Sequence, residues 1–318
     1  MNSPIVKVQN LSHRYAIQWA IKDISFELNQ GGVYGLLGAN GAGKSTIMNI
    51  LCGVLRPSQG VVKIRDIDMM KHPIDAKKFI GFLPQHPPVL SDLTVAEYLK
   101  HSARIRLMPS ASIPGAIEEV MEKVSISHFR NRLIKNLSGG FQQRVGIAQA
   151  IIHKPDLVVF DEPTNGLDPN QILEVRKLIR EIADERTVLL STHILQEVQA
   201  LCDQVWMVNE GRFVFAGTLQ EFDNHIQPNS IIISLSNPPA MQRISELEGV
   251  EKVEQLTTQR FRILFNDPVR AMDAIVMQSG LHGWRLTELQ LEKNSLENIF
   301  ASLSGKMKSV AGTPVVIH

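Results

Sequence analysis

Residues 32–55 read "GVYGLLGANGAGKSTIMNILCGVL". A short apolar run feeds a glycine-rich turn, and the turn opens onto a helical pattern. Within it, "GANGAGKS" places a glycine and four residues before Gly-Lys-Ser, a phosphate-binding loop in the strand, loop and helix setting that such a loop requires. Gly38, Gly41 and Gly43 let the backbone curl so that several amide N–H groups face one anion, and the following helix adds its positive end. The expected nucleotide contacts run through Gly38, Asn40, Gly41, Ala42, Gly43, Lys44, Ser45 and Thr46. Lys44 would reach the β- and γ-phosphates, and the Ser45 hydroxyl would bind Mg²⁺.

A second apolar run, "LVVFDE" at 157–162, ends in two acids. An aspartate at the end of a strand beside the phosphate loop can hold Mg²⁺, which assigns Asp161 to the metal; Glu162 is then free to polarise the attacking water and is the candidate base. A strand ending in Asp-Glu says little alone, but its pairing with the loop points to a nucleoside triphosphatase. Small-molecule kinases, GTPases and motors share the loop. The guanine-selecting Asn-Lys-x-Asp pattern is missing from the sequence.

With 318 residues and 44% hydrophobic content, the chain can bury a substantial core in two domains. Lys and Arg number 33 against 32 Asp and Glu, so no basic excess is available for a nucleic-acid backbone, and no nucleic-acid partner is expected. The two cysteines, Cys52 and Cys202, lie far apart in no metal-ligand spacing and are expected to be reduced core thiols of a cytosolic protein. The N-terminus lacks a secretory pattern. Apolar runs such as "LVVF" and "SIII" fall far short of the roughly 20 residues needed to span a bilayer.

The alternation from residue 5 to about 28 predicts antiparallel strands, and residues from about 89 to 154 predict a mostly helical insert. "DLVVFDE" and "RTVLLST" flank the helical "PNQILEVRKLIREIADE", as buried parallel strands of a βαβ unit do. This α/β domain is drawn over 1–222, followed by a linker, "DNHIQPNS", at 223–230. Residues 231–305 then give strand, helix, strand, strand, helix, strand, helix, the split βαβ order of a small ferredoxin-like α+β domain. In "RFRILF", Phe261, Ile263 and Phe265 share one face, and in "WRLTELQLEK" the alternation slips between Leu286 and Leu289, the mark of a bulge or of an irregular strand. Residues 306–318 are expected to be a flexible tail.

At 137–144 the chain reads "LSGGFQQR", which resembles the signature motif of the ATP-binding-cassette (ABC) family. Other stations of that family follow in order, over roughly residues 5 to 218. Tyr15 in "LSHRY" sits where the family places an adenine-stacking aromatic, with His13 and Trp19 as neighbouring alternatives. Gln85 in "GFLPQ" matches a glutamine that touches magnesium and the attacking water. Asp168 in "NGLD" matches an aspartate that contacts the opposite subunit, and His193 in "LLSTH" matches a histidine that contacts the γ-phosphate. The resemblance implies a P-loop NTPase of ABC type, with a RecA-like core carrying antiparallel β and helical subdomains.

Physical chemistry adds what the signature can do. Ser138 is a good N-cap residue, Gly139 and Gly140 leave amides uncovered, and a helix from about Phe141 presents its positive end, so the motif is a second anion site. In the ABC family this site closes over a nucleotide held by another chain, head to tail. The resemblance therefore implies a C₂ homodimer, or a pair with a similar subunit, that loosens when the γ-phosphate is removed. One phosphate loop and one signature argue against the two-cassette proteins that act on ribosomes. An interval from 46 to 137 without sustained heptads argues against the coiled-coil DNA-repair ATPases. The expected role is the ATPase subunit of a membrane transporter, held peripherally on the cytoplasmic face by a separate transmembrane permease. "STHILQEVQALCD", "NEGRFVFAGTLQEF" and the C-terminal domain look like those of bacterial exporter ATPases. The helical insert after Gln85 is expected to carry a groove for a cytoplasmic helix of that permease.

Overall fold

The computed structural model describes residues 4–225 and 230–292, which form two compact units that divide between Phe222 and Asp223. In the first unit, the alternating N-terminal segment forms the antiparallel pair β1 (Val6–Tyr15) and β2 (Gln18–Leu28). The buried strand β3 (Val33–Leu37) leads through the glycine loop into α1 (Lys44–Leu51), and β4 (Gln59–Ile64) and β5 (Ile67–Asp68) return to the first sheet. Next come α2 (Pro73–Lys77), β6 (Ile80–Leu83), α3 (Val95–Ile105), α4 (Ile113–Lys123), two short 3₁₀ turns and α5 (Gly139–Ile151). Then β7 (Leu157–Asp161), α6 (Pro169–Ala183), β8 (Thr187–Thr192) and α7 (Leu195–Leu201) lead to β9 (Gln204–Asn209), β10 (Arg212–Thr218) and α8 (Leu219–His225).

Two sheets result, an antiparallel one in the order β2-β1-β4-β5 and a larger one in the order β10-β9-β3-β8-β7-β6. In the larger sheet every neighbouring pair from β9 to β6 is parallel, and only β10 runs against its neighbour. All residues of β3, β7 and β8 are buried, which is why those strands read as continuous apolar runs rather than as alternation. The core of the unit joins both sheets, with Phe26 of β2 packed at 4.6 Å between ring centroids against the buried Trp206 of β9. The helical stretch opens at a capping box in which Thr94 and Glu97 each satisfy the other's backbone amide. Both cysteines are free and buried, and burial pushes the Cys202 thiol up to about 12. No helix of the described residues is long and apolar enough to cross a membrane.

The second unit contains β11 (Ser230–Leu235), α9 (Met241–Ser245), β12 (Val250–Gln255), β13 (Arg260–Phe265), α10 (Pro268–His282) and β14 (Leu286–Leu291). Its antiparallel sheet has the order β12-β13-β11-β14, the ferredoxin-like arrangement expected. Phe261, Ile263 and Phe265 are buried together in its core with Trp284. The slip in β14 is a bulge: Glu288 pairs with Ser234, but Leu286 pairs with Leu235, leaving Thr287 extra.

Two expectations change at their edges. Of the stretch drawn as linker, Asp223, Asn224 and His225 continue α8 and Ser230 begins β11, because the helix is capped from Thr218, whose hydroxyl and backbone amide both bond the Glu221 carboxylate. The signature helix starts at Gly139, not near Phe141. The last expected helix, "SLENIFASL", and the 306–318 tail lie outside the described residues.

Candidate functional site

Four neighbouring parallel strands end at one side of the large sheet, and each delivers one part of the site. The glycine loop follows β3, His193 follows β8, Asp161 closes β7 with Glu162 next, and Gln85 lies just beyond β6. The carboxyl ends of parallel strands are where α/β sheets bind ligands. A cleft of 770 Å³ opens there, lined by Tyr15, Asn40, Gly41, Gly43, Lys44, Ser45, Thr46, Gln85 and Glu162 among the expected residues. Asp161 and His193 do not line it, and neither do Gly38 and Ala42 of the loop. The latter two shape the loop from behind, Gly38 N–H donating to Thr192 O at 3.3 Å and Ala42 O accepting from Gly211 N at 3.0 Å.

The loop can be built only with glycine at its hinge into α1. Gly43 has φ of 111°, and a Cβ there would sit 2.7 Å from Ile21 Cγ2 and 2.8 Å from Ala20 O. Lys44, nearly fully buried, folds back so that Nζ donates to Gly38 O at 2.8 Å and Ala39 O at 3.2 Å. Burial holds its pKa below the ordinary lysine value, and the charges of Glu162 and Asp161 offset only part of that shift.

The Glu162 carboxylate is where the other expected groups meet. Its Oε1 lies 3.7 Å from Lys44 Nζ and 3.2 Å from His193 Nδ1, and its Oε2 accepts from Gln85 Nε2 at 3.0 Å. Glu162 itself has φ of 50°, a left-handed conformation that costs a non-glycine residue on the order of 1 kcal/mol, and its N–H donates to Ser191 Oγ at 3.0 Å. Asp161 is buried behind it, with one oxygen accepting from the Ser191 hydroxyl. The donor set suits Mg²⁺: the hydroxyl of Ser45, the carboxylate of Asp161 and the amide oxygen of Gln85 are hard oxygen ligands. Among the described residues no group of three His, Cys, Asp or Glu forms a metal cage. A phosphate-bound magnesium ion needs none, because phosphates and waters fill most of its shell.

The signature residues lie away from this cleft. Ser138 occupies the N-cap position of α5 in an extended conformation, but its side chain makes no capping hydrogen bond, contrary to the expected cap. Its hydroxyl is therefore not consumed by its own helix. A Cβ on Gly140 would lie 2.5 Å from the side-chain amide carbon of Gln171 of α6, so a larger residue there would have to displace that side chain. Asp168 caps α6, accepting from Gln171 N at 3.0 Å.

The aromatic candidates divide at the cleft, and Glu210 and Gly211 are parts of it that the sequence reading missed. Of the three aromatic candidates, Tyr15 and Trp19 both line it, whereas His13 is buried and touches Tyr15 edge-on at 4.8 Å. Arg14 stacks over the Trp19 ring at 5.8 Å. Glu210 and Gly211 also line the cleft, at the tight turn between β9 and β10, with φ of 47° and 74°. The Glu-Gly pair between two apolar runs was the available signal.

Known proteins resemble this chain along the same stretch. The matching family model, described as ABC transporter, covers residues 21–165. The bacitracin transport ATP-binding protein BcrA of Bacillus licheniformis is 37% identical over 214 residues, 67% of this chain and 69% of that protein. The Nod factor export ATP-binding protein I of Ralstonia nicotianae is 29% identical over 311 residues, 96% of this chain and 95% of that protein. Among solved structures, cbiO1 from Clostridium perfringens, part of the ABC transporter complex cbiONQ, superposes with a TM-score of 0.64 at 29% identity, covering 70% of this chain and 92% of that one.

Proposed function

Because the chain belongs to the ABC transporter family, as an ATP-binding and ATP-hydrolysing subunit, we propose that it drives a separate transmembrane permease and that its two expected anion sites act on two different nucleotides. The observation that carries this is the meeting of Lys44, Gln85 and His193 on the one carboxylate of Glu162, which lines the cleft. In this reading Lys44 and the loop amides hold the phosphates, Tyr15 or Trp19 stacks on adenine, Glu162 takes a proton from the attacking water, and His193 orients Glu162 and the γ-phosphate. Ser45, Asp161 and Gln85 would hold Mg²⁺. When bound with the nucleotide, the ion offsets charge on the β- and γ-oxygens.

Ser138, Gly139 and Gly140 then face the nucleotide of a second copy, or of a similar subunit, and Asp168 lies at the same contact. The free Ser138 hydroxyl and the open start of α5 support this role. Hydrolysis removes the phosphate gripped from both sides, and the pair opens. The ATPase domain ends within α8, and the ferredoxin-like domain that opens at β11 regulates or dimerises the subunit.

The permease reading draws on a second cleft, of 510 Å³, to which the helical insert supplies Leu90, the face of α3 and Gln149 of α5, while α2 and β6 supply much of the rest. Exposed apolar side chains of Val54, Ile74 and Ile105 line it beside Lys77, His101 and Arg106. Such a groove fits an amphipathic helix. Export is the favoured direction, because the relatives include proteins named for bacitracin transport and Nod factor export. The chain, tagged and purified from detergent-solubilised membranes, is expected to bring down a multi-span membrane protein identifiable by mass spectrometry. Ile105→Glu is expected to lose that partner while keeping ATP binding. Recovery of ribosomes or DNA instead would overturn the transporter reading.

A further inference from the structure

We propose that Glu197 is a positioning residue for hydrolysis, a buried carboxylate that clamps together the two strand ends carrying Glu162 and His193. The inference rests on the reading of Glu162 as the base. Glu197 lies in the first turn of α7 and is 1% exposed. One of its oxygens accepts from the hydroxyl of Thr164, two residues past Glu162. The other accepts at 2.6 Å from the hydroxyl of Thr192, the residue before His193. Arg176 of α6 brings its guanidinium to 3.9 Å of the first oxygen.

A buried carboxylate is strongly unfavourable unless its oxygens are satisfied, and here two hydroxyls and a cation do so. Thr192 has no freedom to turn away, because its oxygen also accepts from Ile194 N at 3.0 Å, which directs its one proton to Glu197. Neither Glu197 nor either threonine lines the nucleotide cleft. Their bonds instead fix the chain just after Glu162 and just before His193, while Ser191 holds the Glu162 amide from the other side. The left-handed backbone at Glu162 is intrinsically unfavourable and persists only where its surroundings over-determine it. The clamp supplies that constraint, and with it the 3.2 Å spacing between Glu162 and His193.

Glu197→Gln leaves one threonine hydroxyl without its acceptor and lets the two strand ends shift. Misplacing a catalytic group by about 1 Å costs on the order of 10²-fold in rate. The full-length chain carrying Glu197→Gln is therefore expected to lose about tenfold to a hundredfold in kcat, with the dissociation constant of a fluorescent ATP analogue unchanged. Thr192→Ser, which keeps the hydroxyl, is expected to retain the wild-type kcat, and the near-isosteric Thr192→Val to lose as much as Glu197→Gln. The threonine pair decides the matter if Glu197→Gln does not fold. Wild-type kcat in Glu197→Gln and Thr192→Val overturns the clamp, as does equal loss in Thr192→Ser and Thr192→Val, or a loss of nucleotide affinity that matches the loss of rate. Glu162→Gln, assayed alongside, separates the two claims. If it turns over normally, the reading of Glu162 fails; if it is inactive while Glu197→Gln and Thr192→Val are not, only the clamp fails.

Discussion

A Glu162→Gln chain is expected to bind ATP and scarcely hydrolyse it. The amide keeps the size of the side chain and one hydrogen-bonding oxygen, but it cannot accept a proton from water. Loss of a general base typically costs about 10²- to 10⁴-fold in rate. Binding is expected to hold or tighten, because the substitution removes a negative charge 3.7 Å from Lys44, in the cleft that receives the phosphates. With hydrolysis stalled, the closed pair should accumulate, so that light scattering after gel filtration finds dimer with ATP and monomer without it. Phosphate release at the wild-type rate would remove Glu162 as the base.

Ser138→Arg is also expected to lose hydrolysis while keeping ATP binding, but by blocking the site offered to another chain's nucleotide rather than by removing the base. Ser138 does not line the cleft of its own chain, so that chain should still bind ATP with wild-type affinity. What changes is the helix start offered to another nucleotide. An arginine there fills the space over Gly139 and Gly140, where no cap hydrogen bond competes for the site. Removing one preorganised donor to developing negative charge costs about 10²- to 10³-fold, and blocking the whole helix start should cost at least the lower figure. Steady-state ATPase together with binding of a fluorescent nucleotide measures the two effects separately. A parallel loss of affinity in the single chain would mean that Ser138 serves its own nucleotide.

Parts of this account were legible in the sequence because local chemistry settles them. The glycine loop requires glycines where φ is positive, and β3, β7 and β8 required continuous apolar runs because both their faces are covered. In the C-terminal sheet the shared face of β13 and the slip in β14 were legible, but only the pairing with β11 makes that slip a bulge at Thr287. Other parts depend on contacts that no local pattern records. β4 and β5 join the sheet of β1 and β2, yet "QGVVKI" opens with three exposed residues and shows little alternation. The strand order that sets β6 beside β7, and so Gln85 beside Glu162, arises from crossovers between distant segments. Glu197 reads as an ordinary acid on a short helix, and only the approach of Thr164 and Thr192 gives it partners. Ser138 misled in the other direction: its residue type predicts a capping side chain, but the hydroxyl stays off its own helix.

The central claim is that each ATP site is assembled from two chains, the phosphate loop of one and the signature of the other. Mixing Lys44→Ala chains with Ser138→Arg chains tests it directly. Each variant alone should be nearly inactive, the first lacking a working loop in both sites and the second a working signature. In a mixed head-to-tail dimer, one site would combine the intact loop of the Ser138→Arg chain with the intact signature of the Lys44→Ala chain. An equal mixture with free exchange should recover about a quarter of the wild-type ATPase per chain, if half the dimers are mixed and each has one of two sites working. ATPase in the mixture no higher than the average of the two separate variants would contradict assembly in trans.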